Sequence, residues 1–443
     1  MGLIPLATLW TILRVISKPM TKKITLKDLS NEPGCLAEYD PNAMKIESAK
    51  KLIHSFINPI KATESIKLID SLNRVLADNL VSPINVPNYD NSAMDGFAYK
   101  SNPKDNSKIF KITSTVLAGN ISKSSLKNGE AIKIMTGGKI PEGADSVIPI
   151  ELTTLSGNNI TLNELPKTGA NIRKAGEDIQ KGNIALKKGT YLRPAEIGLI
   201  ASVGIEKVKV YKEIKVAFFS TGDEVVRLGT AIKSGQVYDS NHHTISAMLQ
   251  RLGINCIDLG IIPDNKELIK KTLIKSAKTA DAIITSGGVS VGQADYMKEV
   301  LGELGNVLFW KLSIKPGKPM AYGKIKSASY FGLPGNPVAA MVTFYQLVQP
   351  ALKYLKGELN YLPPPTIKVK CSVNINKKPG RLEFQRGVLS RGKDGLSVKP
   401  TSSQGSAILS SMTEANCFIV LDLESGSIKK GDEVKIQLMN GLI

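Results

Sequence analysis

The spacing of apolar residues changes along this chain, and each change predicts a different kind of element. Residues 43–80 carry apolar positions at helical spacing in AKKLIHSFI and IKLIDSLNRVLADNL, which predicts two amphipathic helices. From about 82 to 175 the pattern breaks into short apolar runs punctuated by Gly, Pro and Asn, as in AIKIMTGGKIPEGADSVIPIE. Such a texture predicts a small, strand-rich domain. Residues 176–212 return to a mixed pattern and are expected to pack back on the early helices.

From Ile214 the pattern becomes regular. IKVAFF, NCIDLGII, DAIITSGGV and NVLFWKL read as buried strands. Between them lie helical stretches through HTISAMLQRLG, ELIKKTLIKSAKTA and YMKEVLGELG, and YFGL leads into a long helix, VAAMVTFYQLVQPALKYL. Strand–helix alternation of this kind predicts a doubly wound, parallel α/β domain with ligands at the strand C-termini. Prolines at 363–365 mark a linker, and IKVKC, GLSVKP, CFIVL and DEVKIQL beyond it read as a small β-barrel or sandwich. The expected organisation is an N-terminal extension (1–42), a mixed domain (43–81 with 176–213), a strand-rich domain (82–175), an α/β domain (214–362) and a C-terminal β-barrel (363–443). No internal repeat or low-complexity tract interrupts it.

Composition agrees with several folded domains rather than one. A chain of 443 residues, 42 % hydrophobic and 22 % charged, is too long for a single ordinary core. The net charge of +19 raises nucleic-acid binding, because basic surfaces gain affinity by releasing phosphate counterions. Yet only 9 of the 58 basic residues are Arg, and the lysines are spread along the sequence. With no Arg-rich arm and no basic block interleaved with aromatics, small polyanionic substrates are the better reading. The four cysteines show no CxxC spacing and read as reduced core residues of a cytosolic protein; three histidines make a zinc site unpromising. Residues 2–17 are apolar except for Arg14, too short to span a bilayer. They read as an extension upstream of an initiation at Met20, with an interfacial helix as the alternative.

Three loops that follow strands of the α/β domain carry the chemistry. They are Ser220-Thr221-Gly222-Asp223-Glu224, Thr285-Ser286-Gly287-Gly288-Val289-Ser290-Val291-Gly292-Gln293-Ala294-Asp295, and Leu333-Pro334-Gly335-Asn336-Pro337. Glycine there permits close backbone approach, and freed N–H groups can cradle a phosphate. Asn336 is expected to cap a helix that begins at Pro337, leaving its positive end aimed at the site. Neither a Walker loop nor a G-x-G-x-x-G after a strand is present.

Seven motifs in order carry a resemblance to a known family: Asn91-Ser92-Ala93-Met94-Asp95-Gly96, Met135-Thr136-Gly137-Gly138, Gly176-Glu177-Asp178-Ile179, Ser220 to Glu224, Gly287 to Asp295, Lys315-Pro316-Gly317-Lys318-Pro319, and Leu333 to Pro337. Over roughly residues 40–440 the chain resembles the molybdopterin molybdenumtransferase (MoeA, gephyrin E-domain) family. The resemblance implies that adenylylated molybdopterin and molybdate give molybdenum cofactor and AMP. It implies catalytic roles for Asp95, Thr136, Asp178, Glu224, Asp264 and Asp295, with Mg²⁺ held by Glu224 and Asp295. It implies substrate contacts from Ser220, Thr221, Gly222, Ser286, Gly287, Gly288, Ser290, Lys311, Lys315, Lys318, Pro334, Pro337, Arg386 and Ser406. The lysines suit anionic molybdate and pyrophosphate, whereas carboxylates repel such ligands unless a cation intervenes. A cytoplasmic homodimer served by the molybdopterin adenylyltransferase is also implied, with the strand-rich domain of one protomer facing the α/β loops of the other. Neither nucleic acid nor membrane enters. The eukaryotic relative also anchors receptors, but that role belongs to a longer fused protein.

Overall fold

The computed structural model describes residues 43–439 except 103–107, 118, 120–124, 289–295 and 394. The expectations for residues 1–42, Ser290 and Asp295 therefore lie outside the described residues. The chain forms two compact units, residues 63–210 and the segments on either side of them. No helix among the described residues is long and apolar enough to cross a membrane.

In the 63–210 unit, strands Gly96–Tyr99, Ile109–Val116, Glu130–Ile134, Ser146–Pro149, Thr153–Ser156 and Asn159–Leu162 form one six-stranded sheet. Alternation along Gly96–Tyr99 sends Phe97 and Tyr99 into one apolar cluster and Ala98 into another. Both faces of this sheet are therefore covered. The second helix expected from residues 43–80 does not form. Thr63–Lys67 is a strand, Leu68–Asp70 a single 3-10 turn, and Asn73 takes φ 65°. The backbone amides of Asn73, Leu76 and Ala77 bond to the carbonyls of Leu192, Thr190 and Lys209. Those long-range bonds satisfy the backbone and bury Val75, Leu76 and Ala77, so tertiary pairing overrides the helical spacing.

The other unit opens with α1 (Ile46–Phe56), whose Ile46, Ala49 and Ile53 are buried at helical spacing. Rather than joining residues 63–81, this helix packs into the same apolar cluster as Val216, Phe218 and Leu333 of the α/β sheet. That sheet contains β1 (Lys215–Thr221), β2 (Asn255–Ile262), β3 (Ala282–Ser286), β4 (Asn306–Lys311), β5 (Pro319–Ile325) and β6 (Ala328–Leu333), in the order β2-β1-β3-β6-β5-β4. The first four run parallel, and β5 and β4 continue as an antiparallel edge. Helices α2 (Ser240–Arg251), α3 (Lys266–Thr279) and α4 (Tyr296–Leu304) follow β1, β2 and β3. Alternate residues of β1 enter opposite cores: Val216 and Phe218 face one, Ala217 and Phe219 the other. This is the two-sided burial that a near-continuous apolar strand predicts. After β6 the chain turns at Pro334–Asn336 into a helix, Pro337–Thr343, which runs through a π turn at Phe344–Val348 into Gln349–Leu355.

Beyond the prolines, β7 (Ile367–Cys371), β8 (Leu382–Gly392), β9 (Gly395–Pro400), β10 (Cys417–Leu421) and β11 (Glu433–Leu438) close into a five-stranded barrel, β8 pairing with both β9 and β10. The segment Ile314–Lys315, between β4 and β5, adds to the barrel in parallel, with Ile314 opposite Leu382 and Lys315 opposite Glu383. Barrel and α/β sheet thus share the wall of one cleft.

Candidate functional site

A cleft of about 1020 Å³ lies where β1, β3 and β6 end, and the Gln404–Ala407 loop of the barrel forms its far wall. Parallel strands end here with their loops gathered on one edge, which is where α/β folds bind ligands. Ser220, Thr221, Gly222, Glu224, Asp264, Ser286, Gly287, Gly288, Lys315, Lys318, Pro334, Pro337 and Ser406 all line it. Residues scattered over nearly two hundred positions of sequence therefore meet in one cavity.

Each loop has a local reason for its shape. Gly287 sits at φ 89°, and a Cβ there would lie 2.6 Å from the Thr221 carbonyl oxygen. Only glycine lets the β3 loop approach the end of β1 so closely. Gly222 leaves room for the Glu224 carboxylate, which would lie 2.8 Å from an added Cβ. Asn336 occupies the N-cap position before Pro337 but makes no side-chain cap bond, contrary to expectation. The first-turn amide of Val338 donates to the Ser406 carbonyl instead, so a barrel loop, not a ligand, takes that donor.

Asp264 has its carboxyl pushed above the ordinary value by burial first, then by the negative charges of Asp223 and Glu224. Its backbone N–H donates to Asp223. Crowded carboxylates on the edge of a cleft resist joint ionisation unless a cation stands between them. Lys315 is half-exposed and pairs at 3.4 Å with Glu383, a carboxylate buried in the barrel and held by Gln385 Nε2 at 2.8 Å. Lys311, at the end of β4, keeps its Nζ buried without a hydrogen-bond partner.

Arg386 lies under the site rather than in it. It is 1 % exposed and donates to Ser411 Oγ and to the carbonyls of Ser403 and Gly405. Burial lowers its pKa to about 10. Its guanidinium fixes the loop that carries Ser406, and the expected direct substrate contact does not follow from this placement.

In the 63–210 unit, Thr136 donates to Asp95 Oδ1 through both its backbone N–H (2.6 Å) and its hydroxyl (2.8 Å). Those two bonds, the backbone one first, hold the Asp95 carboxyl below the ordinary range. Asp95 and Thr136, distant in sequence, thus form one exposed pair. Asp178 is exposed on the same unit, and its backbone N–H donates to the Val86 carbonyl.

Several cleft residues escaped the reading of the sequence, among them Asp239, Asn241, Arg381 and Gln404. Asn241 is 8 % exposed and its Nδ2 donates to Ser286 Oγ and to the Gly335 carbonyl, each at 2.7 Å. It ties the β3 loop to the β6 loop. Asp239 caps α2 by accepting from the His242 N–H. The signal available was the run Asp239-Ser240-Asn241 ahead of a helical stretch, which reads as an ordinary cap.

The sequence matches the MoeA N-terminal region (domain I and II) over residues 44–204, a probable molybdopterin binding domain over 217–354, and the MoeA C-terminal region (domain IV) over 368–439. With all three in order and the cleft between the latter two, the chain belongs to the molybdopterin molybdenumtransferase (MoeA) family. It is 45 % identical to a molybdopterin molybdenumtransferase of Haemophilus influenzae, across 86 % of this chain and 95 % of that one. It is 34 % identical to gephyrin of Dictyostelium discoideum, across 89 % of this chain and 62 % of gephyrin. Among solved structures, a molybdopterin biosynthesis moeA protein from Pyrococcus horikoshii superposes with TM-score 0.77 at 30 % identity, covering 90 % of this chain and all of that one.

Proposed function

We propose that this protein inserts molybdenum from molybdate into adenylylated molybdopterin and releases AMP, the last step of molybdenum cofactor biosynthesis. The observation that carries the reading is the cleft itself. Glycine loops at three parallel strand ends, two lysines and residues carrying buried polar atoms without partners line a space large enough for a nucleotide-linked pterin. Ser220 Oγ, Asp239 Oδ2 and Asn241 Oδ1 are buried in residues that line it and bond to nothing in the protein. Buried polar atoms left unpaired are costly, so a polar ligand is their natural complement.

Lys315 and Lys318 draw molybdate and pyrophosphate oxygens to the cleft, and the turn at Gly287–Gly288 brings backbone close to them. Asn241 keeps that turn and the Pro334–Pro337 loop in register while the anhydride bond to AMP breaks. The pair Asp95–Thr136 offers an ionised carboxylate held at a fixed rotamer, although its share in the reaction is part of the same proposal. Glu224 and Asp264 are hard oxygen donors whose mutual repulsion a cation relieves, so they fit Mg²⁺. No three ligating side chains form a ready cage among the described residues, and Mg²⁺ commonly completes its shell with water and substrate phosphate. When bound, such an ion would neutralise phosphate charge and polarise the bond to be broken. Asp295 is proposed beside Glu224 in that role. The same reading makes the protein a cytoplasmic homodimer fed by a molybdopterin adenylyltransferase.

AMP release by the pure protein from adenylylated molybdopterin, measured with and without molybdate and magnesium, tests the reaction. Molybdate-dependent release is expected. Release of no AMP under any of these conditions would sink the proposal.

A further inference from the structure

The barrel wall of the cleft holds a charge pair whose two halves differ in freedom. Glu383 is 3 % exposed, and Gln385 Nε2 donates to its Oε2 at 2.8 Å. Lys315 stands directly opposite in the parallel pairing of Ile314–Lys315 with β8, and its Nζ meets Glu383 Oε1 at 3.4 Å. The lysine side chain is 45 % exposed and lines the main cleft. One partner is therefore an anchored anion and the other a cation with room to swing.

A second lysine backs the same carboxylate. Lys377 is buried and its Nζ donates to the Ser425 carbonyl at 2.9 Å. Burial lowers its pKa; the charges of Glu383, Asp422 and Glu424 oppose that, and Lys315 adds to it. Glu383 thus lies in the field of two lysines, and the backbone ties only one of them in place. The contact to Lys315 is longer than the about 2.8 Å of a close charge-assisted bond. Its ammonium is held at the wall but not locked there.

An oxyanion that reaches Lys315 meets the carboxylate behind it. Two effects of opposite sign decide what Glu383 does to such a ligand. Holding Lys315 ready favours binding only slightly, because a half-exposed ion pair is weak and a lysine gives up rotamers to form it. Repulsion opposes binding more strongly. It acts on both charges of a dianion, and a buried carboxylate is screened less than an exposed one. Repulsion wins, so Glu383 loosens the grip of the cleft on anions.

We infer that Glu383 is a positioning residue: it draws the Lys315 ammonium back to the barrel wall, and an oxyanion must compete with it for that lysine. This rests on the proposed reaction and adds how the cleft avoids holding charged reactants and products too tightly. An anion with further holds in the cleft wins the competition, whereas one bound by charge alone leaves readily.

Calorimetric titration of the full chain with molybdate, and separately with sulfate, tests it. Glu383→Gln keeps the length of the side chain and an acceptor for Gln385 but removes the charge. It should bind both dianions about tenfold more tightly. Damage to the fold weakens binding, so a gain is a result that a merely structural residue does not give. Lys315→Gln should cost the parent less than about threefold and the Glu383→Gln variant about tenfold, since the ammonium serves the anion fully only once the carboxylate is gone. Unchanged or weaker binding by Glu383→Gln, including none by either protein, overturns the role, and so does a gain confined to molybdate. Equal cost of Lys315→Gln in both backgrounds would show that Glu383 does not act through Lys315, and overturns it too. If Glu383→Gln does not fold, Lys315→Gln in the parent decides: a loss above about threefold overturns the competition and a smaller one supports it. Molybdate-dependent AMP release without the gain in affinity would leave the reaction standing and remove this role alone; the gain without release would do the reverse.

Discussion

Asn241 is the residue whose removal most directly tests how the loops of the cleft are tied together. One side-chain amide joins Ser286 on the β3 loop to Gly335 on the β6 loop, with both bonds at 2.7 Å and the residue 8 % exposed. Asn241→Ala removes two bonds worth about 1 kcal/mol each, and the stranded Gly335 carbonyl adds a desolvation cost of about 1 kcal/mol or more. A loss of roughly 2–4 kcal/mol should follow. At about 2–4 °C per kcal/mol for a unit of this size, the melting temperature should fall by roughly 4–16 °C. Asn241→Asp should be worse than Ala, because it sets a carboxylate against the carbonyl oxygen it formerly bonded to. In both variants molybdate-dependent AMP release should fall further than stability alone accounts for at 25 °C, since the loops lose their register while the chain stays folded. Differential scanning calorimetry beside a release assay checks this. A shift under about 1 °C, with Asp no worse than Ala, would refute the argument that this amide carries the tie.

Other expectations are as direct. Gly287→Ala places a side chain at φ 89° and a Cβ 2.6 Å from the Thr221 carbonyl oxygen. The left-handed backbone costs about 1–2 kcal/mol and the unrelieved contact about 1–3 kcal/mol, so denaturant unfolding should show a loss of roughly 2–5 kcal/mol. Gly302→Ala, within α4 and with open space around its added Cβ, should instead stabilise by up to about 1 kcal/mol. Asp264 titrates above the ordinary 3.8 in the folded chain, so the native state holds its proton longer than the unfolded state. Its contribution is therefore full below about pH 3.8 and lost as pH rises through the raised value. Asp264→Asn should raise the melting temperature at neutral pH without magnesium, and that gain should vanish toward pH 3–4; an equal gain at both pH values would remove the like-charge explanation.

How far the sequence reached is clearest in particular residues. The continuous apolar run Val216–Phe219 predicted a strand buried on both faces, and β1 is one, because a parallel strand must be apolar on each alternate side. Glycines at 222, 287 and 288, and the prolines at 334 and 337, marked the loops of the cleft, since turn chemistry is written in single residues. The closed barrel and the α/β domain were legible for the same reason. What the local pattern could not carry was decided by distant partners. Residues 63–81 have helical spacing yet form short strands and turns, because carbonyls more than a hundred residues away take their amides. The strand Pro319–Ile325 hides behind a proline start and pairs only because its neighbours on both sides lie antiparallel to it. Arg386 carries a charge that the family resemblance assigns to substrate, whereas burial commits it to Ser403, Gly405 and Ser411. Asp239, Asn241 and His242 lie just ahead of the helical stretch read through HTISAMLQRLG, and nothing local singles them out. Their unpaired atoms exist only once β1, β2 and β6 surround them, because whether a polar atom has a partner is a property of what folds against it and not of the residue itself.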